Sequence, residues 1–127
     1  MKVTALYAAL LAVLFLVLSF RTLNYRRTQK VEIGDGGDRD LLRRIRVHGN
    51  FAEYVPIALL LMGFAESLGL AATSLHVMGG LLLVGRIVHG YGLSQNPHIL
   101  PMRVAGMVAT FASIGMGAAA CAWLALH

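Results

Sequence analysis

Residues 3–20 read VTALYAALLAVLFLVLSF, and this run contains no charged side chain. A helix needs about 20 mostly apolar residues to cross the roughly 30 Å hydrocarbon core of a bilayer. Lys2 precedes the run and Arg21 follows it, so charges mark both of its ends. The run is therefore predicted to be a membrane-spanning helix.

The flank after this run argues against a cleaved signal peptide. No small-x-small cleavage motif follows Phe20. Basic residues follow it instead, as is typical of a stop-transfer sequence: Arg21, Arg26, Arg27 and Lys30. We therefore expect the first helix to remain in the protein.

Three further stretches are long and apolar, at residues 51–70, 71–91 and 102–126. Hydrophobic residues make up 57% of the chain and charged residues 13%, whereas a soluble domain is roughly 45–50% apolar and about 25% charged. The composition predicts a single all-α membrane domain over residues 1–127, a polytopic four-helix bundle. Its helices are expected at about residues 3–25, 40–68, 71–92 and 101–126.

Basic residues are concentrated in the first loop. The net charge is +5, and eight of the 11 Lys and Arg residues lie between Arg21 and Arg46. Cytoplasmic loops carry such an excess, so this loop is expected to face the cytoplasm. The loop between helices 3 and 4, flanked by Arg86 and Arg103, is expected on the same side. Both termini are then expected to be periplasmic. The basic block is interpreted as topology, so nucleic acid is not expected as a partner. Without an organelle signal, the predicted location is a bacterial inner membrane.

Small residues dominate helix 4, including Ala105, Gly106, Ala112, Gly115 and Ala119. They allow close helix packing in a membrane, either inside one bundle or between subunits, and the sequence leaves both possibilities open. The single cysteine, Cys121, allows neither an intrachain disulfide nor a multi-cysteine metal site. It is expected to be a small buried hydrophobe, and no metal is expected.

Polar residues converge on one membrane depth. Helices 2 and 4 begin at the predicted cytoplasmic side and helix 3 ends there. At 3.6 residues per turn, one face of helix 2 carries four of them. The predicted cluster comprises Arg46, Asn50, Glu53 and Tyr54 from helix 2, Arg86, His89 and Tyr91 from helix 3, and Arg103 from helix 4.

Charged residues inside a membrane are costly and commonly functional. Arginines bind carboxylates in a bidentate manner, a carboxylate pairs with an ammonium group, and Asn and Tyr add neutral hydrogen bonds. The pattern favours a ligand with more than one carboxylate and one amine, such as a short acidic peptide. A structural ion-pair network is the alternative.

Residues 46–56, RVHGNFAEYVP, match the string R-x-H-G-N-F-x-E-Y-V-P of the bacterial branch of the MAPEG family. These are the membrane-associated proteins in eicosanoid and glutathione metabolism. Gly85-Arg86, His89-Gly90-Tyr91 and the arginine that opens helix 4 also resemble the family. The resemblance covers essentially the whole chain, strongly in helix 2 and loosely elsewhere.

The resemblance implies a homotrimer that binds glutathione between subunits near the cytoplasmic face. It implies glutathione-binding roles for Arg46, Asn50, Glu53, Tyr54, Arg86 and Tyr91, and thiolate stabilisation by Arg103. Ile87 stands where several eicosanoid-forming members have tyrosine, which favours a general transferase over leukotriene chemistry.

Three functions are compared. The first is a glutathione transferase or peroxidase that uses glutathione as co-substrate and acts on hydrophobic electrophiles or lipids. The second is a non-catalytic glutathione- or lipid-binding membrane protein. The third is a small multidrug exporter, which is disfavoured because helix 1 has no ionisable carboxylate between Val3 and Phe20.

Overall fold

The computed structural model describes all 127 residues and contains four helices and no strands. They are α1 (Lys2–Gln29), α2 (Arg39–Ser67), α3 (Ala72–Ser94) and α4 (Leu100–Leu126). The predicted all-α membrane bundle is confirmed. The largest boundary difference is at the end of α1, which continues through the basic residues to Gln29.

Three of the helices, α1, α3 and α4, are long and apolar enough to cross a membrane. The remaining predicted span, in α2, does not reach the same apolarity, because this helix carries the charged residues of the predicted cluster. Its 29 residues would extend about 43 Å at 1.5 Å per residue. The length of α2 is therefore sufficient for a span, although its composition is more polar.

The middle helices hold the bundle together. α2 and α3 contact each other, and both contact the two outer helices, whereas α1 and α4 do not touch. Apolar side chains from α1, α2 and α3 form the core, which comprises Leu11, Leu18, Val47, Phe51, Val55, Ala58 and Leu82. α4 therefore packs against the faces of α2 and α3 that point away from α1.

Hydrogen bonds between helices show which ends lie together. Near the basic loops, Arg21 donates to the Ser94 hydroxyl at 2.9 Å, and Arg43 donates to the Asn96 side chain at 3.0 Å. The loop between α1 and α2 and the connection between α3 and α4 therefore lie at the same end of the bundle, as the charge pattern predicts.

At the opposite end, a carboxylate from one helix caps the start of another. Glu66, near the end of α2, accepts hydrogen bonds from the backbone N–H groups of Val3 and Thr4 at 3.0 and 2.8 Å. The first N–H groups of a helix have no partner within the helix and carry a partial positive charge. Glu66 accepts hydrogen bonds from two of these N–H groups and so links α1 to α2.

The small residues of α4 divide between two faces. Gly106, Ser113 and Gly117 are buried, and the Ser113 hydroxyl donates to the Met78 carbonyl of α3 at 2.9 Å. Ala112 and Gly115 are exposed on the single chain. Packing inside the bundle thus accounts for only part of the small-residue pattern. Cys121 is partly buried, and its thiol donates to the Leu61 carbonyl at 3.3 Å.

Candidate functional site

Arg86 is the centre of the polar cluster. Only 3% of this residue is exposed, and its guanidinium joins three helices. Nη1 donates to Asn50 Oδ1 of α2 at 2.6 Å, and Nε donates to Thr110 Oγ1 of α4 at 3.0 Å. Nη2 lies 3.2 Å from the sulfur of Met107. All three partners are neutral, so the buried charge has no carboxylate beside it.

An aromatic pair borders this network. The centroid of the Tyr54 ring lies 5.9 Å from the guanidinium carbon of Arg86, within the range of a cation–π contact. Tyr54 also packs edge-on against Phe111 of α4, with 5.5 Å between ring centroids. Asn50 and Tyr54, one turn apart on α2, therefore both face Arg86.

Two glycines allow α3 and α4 to approach closely enough for this network. A Cβ added at Gly106 would lie 2.5 Å from the Gly85 carbonyl oxygen and 2.6 Å from the His89 nitrogen. A Cβ added at Gly85 would lie 2.9 Å from the Gly106 carbonyl oxygen. Backbone contact at this crossing places Thr110, one turn beyond Gly106, against Arg86.

Arg46 and Glu53 lie on the outside of the cluster. Their side chains are 57% and 54% exposed, and Arg46 Nη1 is 3.9 Å from Glu53 Oε1. An exposed pair at this distance contributes little to stability. Both groups are thus free to pair with a ligand at the surface of the chain.

Arg103 lies in the first turn of α4, as predicted, and is partly buried. Its Nε is shielded from solvent but has no hydrogen-bond partner, and Arg103 forms no salt bridge. A buried N–H donor without a partner is unfavourable. Arg103 is therefore a second cation of this region with unused hydrogen-bonding capacity.

Tyr91 is not brought into the Arg86 network. Five helical residues separate the two, a rotation of about 140° at 3.6 residues per turn. Tyr91 is 57% exposed and lies with Arg21 along a cavity between α1 and α3 that Arg86 also borders. Tyr91 thus shares a cavity with Arg86, although its side chain forms no hydrogen bond with the Arg86 network.

The cluster predicted from the sequence did not include Thr110 and Met107, and it gave His89 no role. Thr110 is fully buried and both accepts from Arg86 and donates to the Gly106 carbonyl at 2.8 Å. His89 is 4% exposed and lies within the electrostatic influence of Arg86 and Arg103. The spacing of Thr110, two turns after Arg103 in an otherwise apolar run, was the signal that could have indicated its role.

The cluster is strongly cationic. The predicted site contains three guanidinium groups (Arg46, Arg86 and Arg103) and one carboxylate (Glu53), an excess of two positive charges, and only Arg46 pairs with that carboxylate. Positive charge in a low-dielectric setting favours anions. The arrangement is suited to an anionic ligand that enters at the end of the bundle where the basic loops lie.

Comparisons with known proteins agree with this class of fold. The chain matches the MAPEG family over residues 4–123. It is 40% identical over 121 residues to the inner membrane protein YecN of Escherichia coli strain K12, an alignment that covers 95% of this chain and 91% of YecN. The YecN of E. coli O6:H1 strain CFT073 matches to the same extent. The chain is a helical membrane protein, and it belongs to the MAPEG family.

Proposed function

We propose that this protein binds glutathione at the cationic cluster, stabilises its thiolate and conjugates it to hydrophobic electrophiles. The observation that carries the proposal is Arg86, a nearly completely buried guanidinium whose partners are all neutral. A buried charge is unfavourable unless it is paired. An anionic ligand would supply the missing negative charge.

Glutathione suits this cluster chemically. It carries two carboxylates, one amine and one thiol. Arginine forks bind carboxylates, and the exposed Glu53 carboxylate is available for the amine. Asn50 and Tyr54 hold Arg86 in position from α2. Replacing Arg46 should therefore weaken glutathione binding directly. Replacing Asn50 should first disorder Arg86, because this arginine loses a hydrogen-bond partner.

Arg103 is proposed to activate the thiol. The reactive form is the thiolate, and a free cysteine thiol has a pKa of about 8.5. A guanidinium close to the sulfur favours the charged form and lowers that pKa. The unpartnered Nε of Arg103 supports this assignment. With the cation in place, the protein needs no general base for this step.

The site is proposed to be completed by neighbouring subunits of a homotrimer. Arg46 and Glu53 are more than half exposed on the single chain, and small residues of α4 remain uncovered. We place the protein in a bacterial inner membrane, as for the relative YecN, with the basic loops and the cluster cytoplasmic. The electrophile is proposed to arrive from the bilayer.

The test is a glutathione titration of the purified protein in detergent, followed by the ultraviolet absorbance of the thiolate. The parent should give a saturable signal. Arg46→Ala should raise the glutathione concentration needed for half-saturation, whereas Arg103→Ala should retain binding, measured by calorimetry, but lose most of the absorbance. Arg39→Ala is the matched control, because Arg39 is an exposed arginine at the start of the same helix as Arg46.

Two outcomes separate the proposal from its alternatives. Binding and thiolate formation without turnover of an aromatic electrophile would favour a non-catalytic glutathione-binding protein. Absence of binding at millimolar glutathione would contradict the proposal and leave the cluster to another anion or to a structural network.

A further inference from the structure

A second candidate anion site lies between α1 and α3, next to Arg86. A cavity of about 390 Å³ opens there, at the end of the helices where the basic loops lie. Leu14, Val17 and Ile87 form an apolar part of its wall, and Arg86 also borders it. Its outer end includes Arg21, Tyr91 and Gln95. This size is within the range of about 300–1,000 Å³ that is typical of small-ligand pockets.

Arg21 is incompletely partnered in this cavity. It is partly buried, and its one hydrogen bond is donated by Nη1 to the Ser94 hydroxyl at 2.9 Å. Ser94 in turn donates to the Gly90 carbonyl, so its hydrogen is already used. Arg21 forms no salt bridge, and the cavity wall contains no carboxylate. The remaining guanidinium donors are available to an anion.

A second guanidinium adds to the positive field. The charge of Arg44 acts on Arg21. Arg44 lies over the Tyr25 ring at 4.4 Å, and its shielded Nε has no hydrogen-bond partner. Two neighbouring like charges repel, and an anion between α1 and α3 would relieve that repulsion.

The position of Arg21 indicates which anion. Arg21 directly follows the charge-free run 3–20, the level at which a spanning helix meets the lipid headgroups. Leu14 lies two turns deeper, about 10 Å along the helix at 1.5 Å per residue. The cavity thus combines an apolar groove inside the bilayer with cationic and neutral donors at the interface.

We propose that this groove binds an anionic phospholipid of the surrounding bilayer. Arg21 would hold the phosphate, helped by the Tyr91 hydroxyl and the Gln95 amide. One acyl chain would lie against Leu14, Val17 and Ile87. Basic pockets between membrane helices at the cytoplasmic side recognise anionic headgroups in this way. Arg86 also borders this groove, but each of its guanidinium nitrogens already has a partner in Asn50, Thr110 or Met107. The proposal therefore rests on Arg21 and does not depend on glutathione binding.

The experiment is native mass spectrometry of the detergent-solubilised protein titrated with phosphatidylglycerol or phosphatidylcholine. The parent should bind phosphatidylglycerol preferentially. Arg21→Gln should weaken that binding by about tenfold or more, because it removes a charge-assisted hydrogen bond. Arg27→Gln is the matched control: Arg27 is an exposed arginine of the same helix outside this groove. It should reduce binding by no more than about fivefold, the effect of one basic residue near an anionic surface.

A second variant tests the groove without changing charge. Ile87→Trp should fill the apolar part of the groove and reduce the binding of both phosphatidylglycerol and phosphatidylcholine. Circular dichroism verifies that the variant is folded. Equal losses in Arg21→Gln and Arg27→Gln would overturn the proposal in favour of general electrostatic attraction. Displacement of phosphatidylglycerol by equimolar palmitate would overturn the assignment to phosphate and indicate a carboxylate ligand.

Discussion

Substitution of Gly106 by alanine should separate α3 from α4 and disrupt the Arg86 network. The new Cβ would lie 2.5 Å from the Gly85 carbonyl oxygen, whereas ordinary van der Waals contact begins at 3.4 Å. The difference is about 0.9 Å, and backbone atoms on both sides prevent a side chain from moving aside. The helices must therefore move apart by close to this amount.

The expected loss of stability follows from three contributions. Overpacking costs about 1–3 kcal/mol, and loss of the Arg86–Thr110 hydrogen bond, at 3.0 Å, costs about 1.5–3 kcal/mol. The higher helix propensity of alanine offsets about 1 kcal/mol. The net destabilisation of Gly106→Ala is expected to be roughly 1.5–5 kcal/mol.

Gly80→Ala on α3 is the matched control, because no atom lies within 4 Å of a Cβ added at that position. It should leave stability unchanged or raise it by up to about 1 kcal/mol. Unfolding in a mild detergent can be followed by the reaction of Cys121, the single cysteine, with a maleimide dye. If the two variants differ by less than about 0.5 kcal/mol, below the smallest expected effect, the proposed close crossing of α3 and α4 is wrong.

Three further predictions concern individual polar contacts. Thr110→Val should destabilise the bundle by about 1–3 kcal/mol, measured as above, because Arg86 Nε loses its acceptor; an unchanged midpoint would contradict this role. Glu66→Ala should speed amide exchange at Val3 and Thr4 but not in α4, and equal exchange would show that the carboxylate is dispensable. The Asp38 carboxylate accepts hydrogen bonds from the Leu41 N–H above all, and also from the Tyr25 hydroxyl and the Asp40 N–H. These bonds hold the pKa of Asp38 below its usual 3.8. This contribution to α2 is present above pH 3.8 and is lost as the pH falls through the lower folded pKa. Protection of the first-turn amides of α2, taken relative to their intrinsic exchange rates, should fall over that range in the parent but not in Asp38→Ala.

The bundle could be predicted from local chemistry. A charge-free run such as residues 3–20 leaves a helix as the way to satisfy its backbone in lipid, and the Gly34–Asp38 segment, rich in glycine and aspartate, separates α1 from α2. Asp38 caps α2 through the N–H groups of Asp40 and Leu41, as expected for an N-cap aspartate. Composition alone predicts a membrane span less clearly for α2 than for the other helices, because the residues of the predicted site reduce its mean hydropathy.

The cluster could be predicted in part, because helical periodicity applies within a helix but not between helices. The spacing of Asn50 and Tyr54 on α2 places them on one face, and both approach Arg86. The rotation of α3 about its own axis is set by packing. It turns Arg86 into the bundle and leaves Tyr91 exposed beside Arg21. Arg86 and Tyr91 border the same cavity between α1 and α3, but no hydrogen bond links the Tyr91 side chain to the Arg86 network.

The number of helices, their order and the accumulation of positive charge at one end could all be predicted from the sequence, because they follow from apolar length and charge position. The packing of the helices determines that Arg86 meets neutral partners from α2 and α4, and that Arg21 borders a groove between α1 and α3. The physical reason is that the Gly85–Gly106 crossing brings two backbones into contact, and this distance between helices is a property of the packed bundle.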